Sequence, residues 1–194
     1  MGKLFCIIGK SGAGKDTVFS GITENNMPQL QPVVTYTTRP KRKNETEGKE
    51  YHFVDDDKLK QLENDGNVIE KRTYHTVFGD WHYFTCRIDI SGPEDYIMIA
   101  TPDVIDKLYE YYDNENIIVI YLELDDKERL LRCINRESQQ QSPNYSEVCR
   151  RYLADEQDFF AGRSEKYTHL HRVDSSHSTD QNIQACVNII QSFR

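Results

Sequence analysis

The stretch Leu4-Phe5-Cys6-Ile7-Ile8-Gly9-Lys10-Ser11-Gly12-Ala13-Gly14-Lys15 decides the fold of this chain. Its apolar start shows no alternation, which is typical of a parallel β-strand buried on both faces. The rest fits the pattern GxxxxGK, and Val18, Phe19 and Ile22 follow at helical spacing. A glycine-rich turn between strand and helix lets backbone N–H groups surround a phosphate, and the helix N-terminus adds positive charge. The alternative, a turn that binds nothing, explains neither the paired glycines nor the lysine.

The α/β pattern resumes in the second half of the chain. Apolar runs predict strands at 96–101, at 117–122 and near 171–173. Helices are predicted from Pro102, over about 126–137, up to about 160 and at the C-terminus, and a polar break falls at 138–143. Strands that alternate with helices imply a parallel sheet covered on both faces, with ligands at the carboxyl ends of the strands.

A different pattern separates these two parts. A strand is predicted at 33–36, followed by a charged stretch at 39–48 and short strands at 51–54, 67–74 and 81–85. Asp55-Asp56-Asp57 opens a helix that ends at Gly66, because acidic side chains are favourable at a helix N-terminus. We therefore expect a small mixed sheet inserted into one α/β domain.

The composition excludes several classes of function. The chain has 194 residues and a net charge of −8, which does not suit a protein that coats nucleic acid or an anionic membrane. No apolar run approaches the roughly 18 residues of a membrane span, and the first apolar run is too short for a signal peptide. The five cysteines form no CxxC pair, so we expect reduced thiols and a cytoplasmic location. The sequence leaves a monomer and a homodimer equally open.

The loop residues predict a nucleotide site with a metal ion. Lys15 would reach the β- and γ-phosphates of ATP. Asp16 stands where a Ser or Thr usually holds Mg²⁺, and a carboxylate is also a hard oxygen ligand. Thr17 is the weaker candidate, since one residue turns a helical side chain by about 100°. The predicted ATP-binding residues are Gly9, Lys10, Ser11, Gly12, Ala13, Gly14, Lys15, Asp16 and Thr17.

Three further motifs follow the loop in order. They are Thr37-Thr38-Arg39-Pro40-Lys41-Arg42, then Gly48-Lys49-Glu50-Tyr51-His52-Phe53-Val54, then Val68-Ile69-Glu70. With the loop, these motifs resemble those of the guanylate kinases in type and spacing. The resemblance implies a P-loop NTP hydrolase-type three-layer α/β fold with a parallel core sheet. It also implies the transfer of a phosphoryl group from ATP to GMP or dGMP with Mg²⁺.

The resemblance implies roles for the acceptor residues. Arg39, Arg42 and Tyr51 would hold the GMP phosphate, for which a guanidinium offers paired donors. Glu70 would accept from the guanine N1–H and 2-amino group, and adenine presents no matching donor pair. Three other positions complete the predicted set: Thr35 near the guanine carbonyl, Phe78 in place of a phosphate-directed tyrosine, and Thr101 in place of an acid near the base. Asp103, two residues on, is a possible substitute for that acid.

The resemblance also implies catalytic arginines and moving parts. Arg132 and Arg136 would share one helix face, and Arg151 would lie on the next helix. With Lys15 and Mg²⁺ they would surround the transferring group, and no general base is needed because the acceptor is already a phosphate oxygen. The implied division is a core (1–35, 92–137 and 160–194), an acceptor-binding region (36–91) and a lid region (138–159). Adenine contacts are expected near Asp174-Ser175-Ser176.

Two other functions stay open at this point. A kinase of the same fold could use another phosphorylated acceptor, since Phe78 and Thr101 depart from the family pattern. A guanylate-kinase-like binding module without activity is the second alternative, although such domains typically have a degraded loop and this one is intact. Single residues also have simpler readings: solvated surface arginines, a packed tyrosine ring at Tyr51 and an exposed acid at Glu70.

Overall fold

A computed structural model describes residues 1–42, 45–76, 79–160 and 162–194. Nine strands are present in these ranges: β1 (Leu4–Ile8), β2 (Gln31–Pro32), β3 (Tyr36–Thr37), β4 (His52–Phe53), β5 (Val68–Thr76), β6 (Gly79–Cys86), β7 (Tyr96–Ile99), β8 (Ile117–Glu123) and β9 (His169–Asp174). The six α-helices are α1 (Lys15–Ser20), α2 (Asp56–Asn64), α3 (Pro102–Tyr111), α4 (Asp126–Ser138), α5 (Tyr145–Asp158) and α6 (Thr179–Ser192).

The core is a five-stranded parallel sheet in the order β2-β7-β1-β8-β9. All five residues of β1 are buried, as expected for a central strand with neighbours on both sides. One apolar cluster, which includes Val18 and Ile190, lies between the sheet and helices α1 and α6. A second cluster, which includes Ile105, lies on the opposite face beneath α3. The predicted three-layer α/β fold with a parallel core sheet is therefore confirmed.

Local signals in the sequence fix the helix starts. The Asp55 side chain accepts from the Lys58 backbone N–H, and Asp125 accepts from two N–H groups at the start of α4. Ser178 and Gln181 form a reciprocal capping box at α6. Helix α1 is short and continues as a π-helical segment (Gly21–Asn26). A Cβ atom at Gly21 would lie 2.3 Å from the terminal methyl group of Ile183 of α6, so a larger residue there would require the Ile183 side chain to move.

A second, mixed sheet has the order β4-β3-β6-β5. Strands β5 and β6 form an antiparallel hairpin, with a bulge between Val68 and Glu70. Strand β3 pairs antiparallel with β6 and parallel with β4. All four strands come from residues 36–86, so this sheet is inserted in the chain between β2 and β7 of the core sheet.

Two element predictions were wrong in detail. Residues 33–36 do not form one strand: the Val33 N–H donates to Ile97 O in the core sheet, whereas Tyr36 pairs in the mixed sheet. The chain passes from one sheet to the other here, so no continuous ladder is possible. Helix α4 also runs to Ser138, one residue into the predicted loop.

The structure also shows the state of the cysteine thiols and the character of the helices. All five cysteine thiols are free, with Cys6, Cys133 and Cys186 buried, Cys86 half-buried and Cys149 exposed on α5. Within the described residues, no helix has the combined length and apolar character that a membrane crossing requires.

Candidate active site

The phosphate-binding loop lies at the carboxyl end of β1 and packs against α4. Gly12 and Gly14 adopt left-handed φ values of 88° and 89°, which disfavour any other residue. A Cβ atom on Gly12 would also lie 2.6 Å from the Arg129 carbonyl oxygen. The glycines therefore serve both the turn and the close approach of α4, which carries two of the predicted arginines.

A cavity of about 350 Å³ opens above this loop. Its lining combines loop residues, arginines and polar side chains of α6: Ser11, Gly12, Gly14, Lys15, Asp16, Thr17, Val18, Arg132, Arg136, Arg151, Ser175, Thr179 and Asn182. The three predicted arginines thus meet the predicted lysine in one place. Four cationic side chains against one carboxylate suit a polyphosphate, in a protein whose net charge is −8. Of the predicted loop contacts, Gly9, Lys10 and Ala13 do not line the cavity.

Lys15 is held by its own loop. Its ammonium donates to the carbonyl oxygens of Gly9 (2.7 Å) and Lys10 (3.2 Å). Burial lowers the pKa of Lys15, and the neighbouring carboxylates of Asp16 and Asp155 oppose this change. An ammonium has three donors, so one remains for a phosphate oxygen.

The arginines differ in how much of their hydrogen-bonding capacity is used. Arg132 donates to Glu128 Oε1 (2.5 Å) and to the Ser175 carbonyl (3.3 Å). Arg136 is exposed at the end of α4. The Nε atom of Arg151 is buried and finds no hydrogen-bond acceptor within the described residues, its nearest carboxylate oxygen being Glu147 Oε1 at 3.7 Å. A buried guanidinium N–H needs an acceptor, and a phosphate oxygen at the cavity would supply one.

Among the described residues that line the cavity, Asp16 is the one carboxylate that could contact a metal ion. Within the described ranges, no group of three His, Cys, Asp or Glu side chains could hold a metal by itself. Asp16 and Thr17 are exposed on the first turn of α1 and line the cavity. Mg²⁺ commonly takes one or two carboxylates, several waters and substrate phosphates, so the residues present fit this ion.

A charge cluster around the buried Arg129 ties the loop to α5. Arg129 is 1% exposed, donates to Asp126, Asp155 and Glu156, and stacks on the Tyr152 ring at 3.8 Å. The Ser11 backbone N–H donates to Asp155 Oδ2 (2.7 Å), and Lys10 pairs with Glu156 (2.7 Å). Lys10 and Ser11, predicted as ATP contacts, therefore also brace the loop against α5. The sequence did not distinguish Arg129 as a buried residue, because Arg129 fits the same polar helix pattern as its exposed neighbours.

The acceptor arginines occupy unequal positions. Arg39 is 3% exposed, and its Nη atoms donate to both carboxylate oxygens of Glu45 at 2.7 and 3.0 Å. Its guanidinium also donates hydrogen bonds to Pro40 O (2.8 Å) and to the Tyr83 hydroxyl (3.0 Å). The exposed Arg42 guanidinium makes no hydrogen bond or ion pair with the part of the chain that the structure describes. Arg42 therefore has the more available donors for a phosphate.

An aromatic group lies next to Arg39. The Tyr51 and Tyr83 rings meet edge to face at 5.5 Å, and Tyr83 also contacts Tyr74. Burial raises the pKa of Tyr51, and the charges of Arg39 and Arg72 oppose this rise. Tyr83 was not predicted as a site residue, because only the pairing of β6 with β3 brings its hydroxyl to Arg39.

Glu70 is buried and paired. Its Oε1 accepts from the Thr85 hydroxyl at 2.8 Å, and Arg72 donates to both carboxylate oxygens at 3.2 and 3.5 Å. The simpler reading of Glu70 as an exposed strand acid does not match this burial. Arg72 was also missed, although its position two residues after Glu70 on a strand signals a shared face.

The remaining predicted acceptor residues are Thr35, Thr101 with its possible substitute Asp103, and Phe78. Thr35 is half-buried between the two sheets, and its carbonyl accepts from the His52 N–H at 2.9 Å. The Thr101 hydroxyl, at the N-cap of α3, is buried without a partner within the described residues. Asp103, the possible substitute, pairs with Arg163. Phe78 lies outside the described residues.

The region expected to contact adenine helps to line the cavity above the phosphate-binding loop. Ser175 lies after β9, and its hydroxyl donates to Ala13 O (2.6 Å) in the loop. Asn182 is buried and donates to the carbonyls of Ser175 and His177. Thr179 and Asn182 were not predicted, and their place in the first turn after the capping box is the signal that could have found them.

Comparisons with known proteins agree on one family. The family model described as guanylate kinase matches residues 1–160. The guanylate kinase of Aromatoleum aromaticum is 43% identical over 74 residues, 38% of this chain and 36% of that protein. That of Frankia casuarinae is 39% identical over 84 residues, 43% of each chain. The matched segments therefore span less than half the length of these two relatives.

A solved structure extends the similarity over the whole fold. The crystal structure of guanylate kinase from Anaplasma phagocytophilum superposes with a TM-score of 0.65 and 19% identity, covering 98% of this chain and 85% of that one. At this identity the likeness shows the fold alone. The family model, by contrast, matches most of the chain, including all four motifs found in the sequence. This protein therefore belongs to the guanylate kinase family.

Proposed function

We propose that this protein transfers the γ-phosphoryl group of ATP to GMP or dGMP. The observation that carries the proposal is the meeting of Lys15, Arg132, Arg136 and Arg151 at one cavity above an intact phosphate-binding loop. A binding module has no need of four cations around a loop of this kind. Family membership supports guanine as the acceptor base, with Glu70 as the group that recognises it.

The chemistry needs positioning and charge neutralisation. In the proposed reaction, loop N–H groups and Lys15 hold the β- and γ-phosphates of ATP, and the three arginines stabilise the charge on the transferring group. Mg²⁺, when bound with ATP through Asp16, would neutralise phosphate charge. The acceptor phosphate oxygen attacks in line, so no side chain has to remove a proton.

The acceptor would bind on the mixed sheet. We assign the GMP phosphate to Arg42, Tyr51 and Tyr83, with Arg39 holding the Tyr83 hydroxyl and Glu45 in place. Glu70, Thr35 and Thr101 would face the base. The Thr101 hydroxyl supports this assignment, because it is buried without a partner among the described residues, and such a hydroxyl favours a ligand acceptor or donor.

Three moving parts would complete the site. We propose that the acceptor region (36–91) and the lid (138–159) close over the core (1–35, 92–137 and 160–194). Arg151 on α5 would then reach the phosphates, and water that would otherwise hydrolyse ATP would be excluded. The five free thiols favour a cytoplasmic location.

An ADP-release assay with ATP and Mg²⁺ tests the proposal. The acceptors are GMP, dGMP, IMP, AMP, CMP, UMP and ribose 5-phosphate. Turnover restricted to GMP and dGMP is the expected result. Turnover with another acceptor alone would keep the phosphoryl transfer and reject guanine. No turnover with any acceptor, from protein that still binds ATP, would favour the non-catalytic module.

A further inference from the structure

One face of the β5–β6 hairpin carries a row of polar groups. Glu70 and Arg72 are two residues apart on β5, so their side chains project from the same face. Thr85 lies opposite Glu70 and Tyr83 lies opposite Arg72. Tyr83 reaches Arg39 at the phosphate end of the acceptor site, so the row runs from the proposed phosphate position towards Glu70. Arg72 lies in the middle of it.

The Arg72 guanidinium binds the two carboxylate oxygens of Glu70 that a guanine would need. Its Nε donates to Oε2 at 3.2 Å and its Nη2 to Oε1 at 3.5 Å, while Thr85 holds Oε1 from another side. Guanine also offers two parallel donors, N1–H and the 2-amino group, which require both carboxylate oxygens together. Base binding would therefore displace the Arg72 guanidinium from Glu70.

The displaced guanidinium would remain near the base. The Arg72 side chain is about one-third exposed, and its charge lowers the pKa of both Tyr51 and Asp158 of α5, against the rise that burial causes in each. Arg72 lies on the same hairpin face as Glu70 and opposite Tyr83, and therefore next to the position proposed for the base. Guanine carries its carbonyl O6 next to N1, and arginine donors pair well with that oxygen.

We propose that Arg72 is a specificity-determining residue that donates to the guanine O6 while Glu70 accepts from N1–H and the 2-amino group. This proposal rests on the proposed function. Adenine would meet the wrong partner at both positions, because its N1 is an acceptor facing Glu70 and its 6-amino group is a donor facing Arg72. Two adjacent mismatches reject adenine more strongly than Glu70 alone could.

The test compares Arg72→Met with the wild type on GMP, IMP and 6-thio-GMP. IMP keeps O6 and N1–H but lacks the 2-amino group, whereas 6-thio-GMP keeps both donors and replaces O6 with a weak acceptor. We expect Arg72→Met to lower kcat/KM for GMP and IMP by about tenfold or more. The ratio of GMP to 6-thio-GMP should shrink by about threefold or more, with the GMP-to-IMP ratio nearly unchanged.

Lys71→Met is the matched control. It removes the same charge from the neighbouring position of the same strand, but Lys71 projects from the opposite face and pairs with Glu63 of α2. Both acceptor ratios should keep their wild-type values in this variant. Arg72→Lys covers the case in which Arg72→Met is unstable, and it should give an intermediate ratio because lysine keeps the charge without the fork of donors.

Three results would decide against the proposal. If Arg72→Met lowered kcat/KM equally for all three acceptors, Arg72 would act only as a counter-charge for Glu70. If Arg72→Met left the kinetics unchanged, Arg72 would be a solvated side chain without a role in specificity. If Lys71→Met also changed the ratio of GMP to 6-thio-GMP, the effect would come from the loss of a positive charge on β5 and not from Arg72 itself. Failure of the wild type to phosphorylate GMP is a separate outcome, which rejects the proposed function itself.

Discussion

Asp16 is the residue at which this chain departs from the usual loop, and its position gives a direct test. It is exposed beside Lys15 at the cavity, where a carboxylate is useful only if it faces a cation. We expect Asp16→Asn to raise the Mg²⁺ concentration for half-maximal rate by about tenfold. Initial rates over a Mg²⁺ titration check this, with Thr17→Val as the control. If the Mg²⁺ concentration for half-maximal rate rose strongly in Thr17→Val and not in Asp16→Asn, Thr17 and not Asp16 would be the metal ligand.

Lys15 offers a second test at this scale. Its ammonium contacts two loop carbonyls and stabilises no distant element, so Lys15→Met should fold normally. We expect kcat to fall by about 10²- to 10³-fold, because a positioned cation at the transferring group is lost. Turnover assays and thermal unfolding would be compared on the same samples. Activity within threefold of the wild type would remove Lys15 from the mechanism.

The sequence predicted some residues of the candidate site and could not predict others. Lys15 follows from a short motif, in which local spacing places the side chain, whereas Arg132, Arg136 and Arg151 were predicted from the family resemblance. Tyr83 and Arg72 come to the acceptor site only through the register of β5, β6 and β3. That register depends on a bulge and on the pairing of strands far apart in the chain, which neither propensity nor spacing specifies. The assigned roles of all these residues stay predictions.

At the scale of elements, the junction of α4, α5 and the loop depends on Arg129. Arg129→Met should destabilise the protein by about 2 kcal/mol. This is less than for a pair buried on both sides, because Asp126 and Glu156 are partly exposed and regain water. Urea unfolding measures the effect. Arg150→Met is the control, since Arg150 pairs with Glu147 on the surface of α5 and should contribute under 1 kcal/mol. Equal changes would show that burial of Arg129 contributes nothing.

Element predictions failed where the chain changes sheets. Val33 and Val34 favour a strand by their side chains, yet the backbone between β2 and β3 bonds first to one sheet and then to the other. Tertiary pairing therefore overrides local preference over this short segment. The long buried strands β1 and β8 and the capped helices were predictable, because burial on both faces and capping leave their mark in the local sequence.

For the whole molecule, acid should weaken the fold. Hydrogen bonds from Arg39 lower the pKa of Glu45, the Phe53 N–H lowers that of Glu47, and Arg129 lowers that of Asp126. A carboxylate with a lowered folded pKa stabilises the protein above its unfolded pKa, about 4, and loses this effect as pH falls through the folded value. The urea midpoint should therefore fall as the pH drops below 5. In Glu45→Gln the urea midpoint should fall by less than in the wild type over the same pH range. A midpoint that rises below pH 5 would contradict the prediction.

The family and the fold could be read from the order of motifs because that order spans most of the chain. The loop, the acceptor motifs and the later helices each occupy a separate segment, so their joint occurrence is specific even where single residues depart. The proposed movement of the mixed sheet and α5 towards the core could not be read in this way. Such a closure would depend on contacts made with both nucleotides in place.

The distribution of thiols makes that motion accessible to spectroscopy. Burial raises the pKa of Cys86 to about 11 and that of Cys186 to about 12, and it raises that of Cys6 still further. Reagents such as maleimides attack the thiolate, so these three positions react slowly near neutral pH, and Cys133 is buried. Cys149 is exposed on α5, within the proposed lid. A single fluorophore can therefore be attached to the unmodified chain at the helix whose movement would accompany each turnover.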